Sequence, residues 1–373
     1  MSQTLPLFDL PETQNTAPPL IERITAYRPH IEAKHVPTSS DKWMLASNLQ
    51  KSIRRGLTQT AIGTATRLLS VDEQYFWRRL MVIAYEDIGF GDIQLCFDLL
   101  KTFRREAMHR QLGIERVAAY FADALANARK SRALCDAIAM LEFNVQRGEL
   151  EQPCFALTDS QLVEVICRTD ESLMTQVAAL RHICGYRENA KGSYRSITPA
   201  RPELMREVCR RLELTDIETT LFLSGQSTSE SLNIPLPLVA QLARGEHREV
   251  QAKQIFEGKN GILYVALDRH TRAGKKCFAK FALEVKPIAD FFHQHPKLNS
   301  VAVLGVAVFI VEGSQLNRWV VFPQADNLRQ AFEQKFLEHV GVNGKRASEL
   351  LNITRDNLPL LNQIRAETIE AAC

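Results

Sequence analysis

The 373-residue sequence lacks most of the features that announce a function outright. Its eight cysteines, among them Cys96, Cys135, Cys184 and Cys277, form no CxxC pair and no regular framework. That excludes a zinc ribbon or a disulfide scaffold, leaving thiols kept reduced. No window offers the roughly 20 uninterrupted apolar residues that span a bilayer, and the start MSQTLPLFDL has no basic stretch leading into an apolar core, so the expectation is a cytoplasmic protein without a membrane partner. Neither sign of charge dominates: 46 basic residues stand against 43 acidic ones, for a net charge of +3. Any nucleic-acid surface must therefore be local. A phosphate-cradling GxxxxGK[ST] loop is missing too. Lys259, Lys275 and Lys345 each follow a glycine, but none completes the pattern, so no nucleotide cofactor is expected.

What is present is an ordinary globular composition, 45% hydrophobic and 24% charged, with length enough for two or three packed units. Residues 1–20 contain four prolines along with Gln, Asn and Thr, a composition that predicts a flexible tail. From residue 21 to about 145 the apolar spacing is helical, with Trp43, Leu45, Leu49 and Ile53, and then Phe76, Leu80, Ile83 and Ala84, at three- and four-residue steps. Breaks are expected at Gly56, at 70–72 and at 89–92. A second helical segment is read over 146–225, with a basic, glycine-punctuated break at 181–196. The Ser- and Pro-rich stretch SGQSTSESLNIPLP then leads into a mostly helical segment, 226–373. There, 301–311 (VAVLGVAVFIV) suits a buried strand or a buried helix. The helix, continuing through Trp319, is the preferred reading, with a small sheet near 261–266 and 300–311 as the alternative. The predicted fold class is mainly α, a multi-helix bundle with room for a small β element in the C-terminal third.

Three stretches carry a resemblance: LQKSIRRG (Leu49 to Gly56), WRRLMVIAYEDIGFGD (Trp77 to Asp92) and NARKSRALCDAI (Asn127 to Ile138). In order and approximate spacing they resemble the C-terminal helical region of replication-associated recombination protein A, a bacterial AAA+ family related to clamp-loader subunits. The likeness covers roughly a third of the chain and fades after about residue 145. It implies a collar-like domain that oligomerises or docks, working in DNA replication or repair. The residues also have a direct physical reading. Arg78 and Arg79 precede Glu86 and Asp87 by about two helical turns, so ion pairing between neighbouring helices is their first use and DNA contact the second. Lys51, Arg54 and Arg55 crowd a helix end with no acid between Lys51 and Ser70, which predicts either contact with phosphate or a solvated face.

In the tail, Gln3, Leu5, Leu7 and Phe8 lie in a peptide that looks like the short motif with which bacterial replication proteins dock on the sliding clamp. The Gln-to-Leu-Phe spacing is one residue longer than the commonest form, and Thr4 stands where Leu is frequent. Exposed hydrophobes with no core to join, on a chain stiffened by Pro6, suit an extended peptide that seeks a pocket.

The strongest local positive run is DRHTRAGKKCFAK, with Arg269, His270, Arg272, Lys275 and Lys276 as candidate phosphate contacts. Asp268 beside His270 reads first as a structural hydrogen bond. His293 and His295 make no metal site by themselves, and Glu312, inside an apolar stretch, needs a partner, for which Arg318 is the nearest candidate. Taken together, the residues predict a non-catalytic accessory protein that docks on the sliding clamp, contacts DNA and has the option of self-assembly. Two alternatives are a metal-dependent nucleic-acid enzyme using Asp268, His270 and Glu312, and a plasmid or phage regulator that captures the host replisome.

Overall fold

The computed structural model describes residues 18–103, 105–188, 194–196, 199–228, 231–252 and 257–371. Among these the fold is mainly α, with three short antiparallel strand pairs. The N-terminal helices are α1 (Leu20–Ala26), α2 (Lys42–Arg54), α3 (Thr58–Val71), α4 (Glu73–Ile83), α5 (Ile93–Thr102), α6 (Glu106–Leu112), α7 (Ile114–Asn127) and α8 (Ala133–Glu142). There follow α9 (Arg147–Glu151), α10 (Asp159–Cys167), α11 (Leu173–Ile183), α12 (Pro202–Arg211), α13 (Asp216–Thr228) and α14 (Leu236–Leu242). The last third holds α15 (Arg272–Glu284), α16 (Lys286–Gln294), α17 (Ser300–Val308), α18 (Ala325–His339), α19 (Gly344–Asp356) and α20 (Leu358–Glu370). Strand β1 (Tyr186–Glu188) pairs with β2 (Tyr194–Ser196), β3 (Arg248–Gln251) with β6 (Arg318–Val321), and β4 (Gly258–Lys259) with β5 (Ile262–Leu263).

Local chemistry sets the helix ends in the first segment. Asp41 caps α2 by accepting from the Trp43 and Met44 amides, Asp72 caps α4 through the Tyr75 amide, and Asp92 caps α5 through the Leu95 amide. Helix α2 stops before Gly56, whose φ of +67° suits glycine, and a Cβ there would lie 2.2 Å from the Asn317 side chain. After α4 the chain passes through a π turn, Ala84–Ile88, and a 3₁₀ turn, Gly89–Gly91. Any side chain at Gly91 would collide with the Arg129 carbonyl, 2.3 Å from the Cβ position. Gly91 thus lets the backbone of Arg129 and Lys130 come close, which brings the second motif against the third.

One hydrophobic core runs through the helices of all three helical segments. Helix α3 packs between α2 and α7, α8 lies against α18, and α13 lies against α5. Ten consecutive residues, Leu45 to Arg54, are buried because α2 is covered on every side. By contrast α15 buries Cys277, Phe278, Phe281 and Ala282 and leaves its other face to solvent.

The last third differs from expectation in one place. The apolar stretch forms α17 and a π turn, Phe309–Gly313, as predicted, but the helix does not continue to Trp319, which lies on β6. Edge pairing explains the switch: Arg318 and Val320 exchange backbone hydrogen bonds with Lys130 on one side of β6, while β3 holds the other. The small element near 261 is the β4–β5 hairpin, and 300–311 takes no part in it. In the middle segment the break after α11 becomes the β1–β2 pair, and α13 extends through SGQST, past the boundary expected at 225/226. The flexible tail is expected to end at residue 20, but Leu20 already starts α1 and is buried.

Candidate nucleic-acid interface and the buried charge network

The three resemblance stretches meet in space, where they form an interior ionic network. Arg54 is 1% exposed and Asp87 is fully buried. The Arg54 guanidinium donates from Nε to Asp87 Oδ1 (2.6 Å), from Nη2 to Glu86 Oε1 (2.6 Å) and from Nη1 to the Gly313 carbonyl (2.8 Å). Arg132 joins from the third stretch, 2.6 Å from Asp87 Oδ1 and 3.2 Å from Glu86 Oε1. Gln50 donates to Asp87 Oδ2 (2.9 Å) and accepts from Arg79 (2.9 Å). Burial by itself would raise the Glu86 carboxyl, but Arg54, Arg132 and Arg79 together outweigh it and hold the group well below the usual range.

Lys51 and Arg55, also on α2, are equally enclosed. Lys51 Nζ lies 2.9 Å from Asp268 Oδ2, which also accepts from Ser47 Oγ (2.8 Å). Burial pushes the Lys51 amine down, while burial of Asp268 is overcome by Lys51, so that its carboxyl is held low. Arg55 donates to the Glu312 carbonyl at 2.8 Å, and burial lowers its guanidinium to about 10. The phosphate-facing helix end expected of Lys51, Arg54 and Arg55 is therefore not what the fold builds. Their acids come from segments far along the chain, which a local scan for acidic neighbours cannot detect.

The pairing expected of Arg78 and Arg79 with Glu86 and Asp87 is half realised. The acids are paired, but by Arg54 and Arg132. Arg79 reaches the network through Gln50, and Arg78 is exposed. Glu312 takes Arg365, 2.9 Å away, as its partner, while Arg318, the candidate from sequence, pairs with Glu249. Lys130 and Arg132 carry more of the interior than the sequence reading gave them. Lys130 is fully buried, with Nζ donating to the Ala126 (2.5 Å) and Ala128 (2.7 Å) carbonyls, and burial pushes its amine down to about 7. Two cations in the short run KSR were the available signal.

The basic run on α15 divides at its N-cap. Thr271 caps the helix by accepting from the Gly274 amide at 2.9 Å. Before it, Arg269 lies over the Phe336 ring at 4.7 Å, and His270 is exposed with its backbone amide donating to Asp268 Oδ1 (2.9 Å). After it, Arg272, Lys275 and Lys276 are exposed, stand at i, i+3 and i+4 on one face, and have no ion-pair partner among the described residues. One turn later the charge is closed off, because Lys280 pairs with Glu367 of α20 at 2.6 Å. The first two turns of α15 therefore present three free cations at the positive end of a helix.

Gln3, Leu5, Leu7 and Phe8 lie outside the described residues. Among the described residues no three His, Cys, Asp or Glu side chains group to hold a metal ion, and no helix is long and apolar enough to cross a membrane. Comparison with protein-family models, with curated proteins and with solved structures finds no significant match for this chain.

Proposed function

We propose that this protein is a non-catalytic accessory factor of DNA replication or repair, which contacts the nucleic-acid backbone through the exposed face of α15 and docks on a sliding clamp through Gln3, Leu5, Leu7 and Phe8. One observation carries the DNA contact: Arg272, Lys275 and Lys276 remain solvated and unneutralised, in a protein whose other cationic motif is sealed inside. Cations so placed release counterions from a phosphate backbone without reading bases. The clamp contact rests on the peptide sequence and on the resemblance of 49–138 to a replication family. Asp268 and Glu312, the carboxylates an enzymatic reading would use, are each engaged by a buried cation, which favours the binding reading.

The test is DNA affinity by fluorescence anisotropy across a salt series, with clamp capture measured in parallel. Replacing Arg272, Lys275 and Lys276 together by Gln is expected to weaken DNA binding and to flatten the plot of log affinity against log salt by roughly 0.9 per lost contact. Leu7→Ala with Phe8→Ala is expected to abolish clamp capture and leave DNA affinity alone. Unchanged DNA affinity in the first variant, or unchanged capture in the second, defeats the corresponding half of the proposal.

A further inference from the structure

The three tryptophans differ in what covers them: Trp77 is buried, Trp319 is half-buried, and Trp43 is 54% exposed. Trp43 stands in the first turn of α2, held by neighbours at the surface instead of by a core. Tyr75, in the first turn of α4, meets it edge to face with ring centroids 5.2 Å apart. Lys42 Nζ lies 5.9 Å from the Trp43 ring centroid and 5.2 Å from that of Tyr75. Asp72 anchors that amine at 2.8 Å and also caps α4 through the Tyr75 amide. The helix cap, the lysine and the two rings therefore brace one another, and the indole is positioned while most of it stays in water.

The charges beside the rings narrow what they would meet. Arg78 and Arg79 follow Tyr75 at i+3 and i+4 and share its side of α4. Arg78 is exposed and has no ion-pair partner among the described residues, while Arg79 is held by Gln50 at 2.9 Å. The nearby acids are engaged: Asp41 caps α2, and Asp72 caps α4 and pairs with Lys42. Glu73, two residues before Tyr75, falls on the opposite side of α4. We propose that Trp43 and Tyr75 form a stacking platform for a base of single-stranded nucleic acid, with Arg78 meeting an adjoining phosphate. Bases of a single strand stack on such rings, and phosphates between them seek cations, whereas a duplex keeps its base faces inside. The class of ligand rests on the nucleic-acid reading above, but the site uses none of the α15 cations. Ser47, one turn beyond Trp43, donates to Asp268, four residues before Arg272, so the start of α15 lies against the same half of α2. The platform adds selectivity for single strands to a backbone contact that has none.

The experiment measures fluorescence anisotropy of three labelled probes with the full chain: an oligothymidine of about 12 nucleotides, an abasic strand of equal length and charge, and a duplex. The wild type is expected to bind the oligothymidine at least about fivefold more tightly than the abasic strand, with quenching of tryptophan fluorescence by the base-bearing strand alone. Trp43→Ala is expected to erase that advantage and to leave abasic and duplex affinity unchanged. Trp43→Phe, which keeps a ring, is expected to retain most of it and serves if Trp43→Ala disturbs the α2–α4 contact. Replacing Arg272, Lys275 and Lys276 by Gln is expected to weaken all three probes and keep their ratio. If that triple variant changes nothing while Trp43→Ala erases the advantage, the α15 contact fails and the platform stands. Equal affinity for oligothymidine and abasic strand, or an advantage that survives Trp43→Ala, overturns the platform and leaves the α15 contact standing. Self-association that Trp43→Ala disperses in sedimentation, with no change in strand affinity, assigns the rings to a second copy of the chain and also overturns it.

Discussion

Helices α2 and α15 carry the same kind of charge in the same spacing, Lys51, Arg54 and Arg55 on one and Arg272, Lys275 and Lys276 on the other, and meet opposite fates. On α2 the three cations are at most 4% exposed, whereas on α15 all three are in solvent. The difference lies in what surrounds each helix. Helix α2 is enclosed by α3, α4, α7 and the turn at Tyr264–Ala266, so its cations could be buried only with acids delivered to them. The acids arrive from 33 residues away in Asp87 and 217 residues away in Asp268. Helix α15 packs on α16, α17 and α20 with one face only, and α20 brings a carboxylate to Lys280 but none to the first two turns. A local absence of acid therefore says little about exposure. How much of an element's circumference its neighbours cover decides it, ten consecutive residues on α2 against one face on α15.

The contrast can be broken most directly at Arg54. Arg54→Ala leaves Asp87 and Glu86 with less compensation in the interior, and the expected loss in denaturant-derived stability is about 3–5 kcal/mol, the cost of breaking a buried pair. A loss below about 1 kcal/mol would mean the α2 cations are in effect solvated and would erase the distinction.

Lys130 sharpens the comparison through pH. Its folded-state amine releases a proton near 7, well below an ordinary lysine. Between that value and roughly 10.4, the unfolded chain holds the extra proton, so this residue makes stability rise as pH increases. The slope is at most about 1.4 kcal/mol per pH unit. Lys130→Met removes the titrating group, so wild-type stability measured from pH 7 to 9 is expected to gain on the variant. A constant gap would place the ammonium in water. The smallest effect belongs to α15: the combined Gln variant of Arg272, Lys275 and Lys276 is expected to change stability by no more than about 0.5 kcal/mol per site, as exposed charges do. A large loss would show those side chains engaged with the body of the protein.

Much of the fold was legible because it depends on neighbours in the chain. Three- and four-residue apolar spacing marked α2 and α4, and the breaks expected at 70–72 and 89–92 hold the caps Asp72 and Asp92. Trp319 was misread because a strand held at its edges by Lys130 and β3 has no local signature of its own. The candidate site was legible only in part. The run at 272–276 was found and is exposed, while the run at 51–55 was found and is not. Arg365 as the partner of Glu312, 53 residues away, left no trace a short window could hold.

By itself, then, the sequence determined the main helical stretches of the N-terminal segment and that the fold is mainly α, because capping and apolar periodicity act within a few residues. Only the tertiary structure decided which cations face water and which acids neutralise the others. Those outcomes depend on desolvation and ion pairing between segments brought together by packing, and their energies have no counterpart in the local chain.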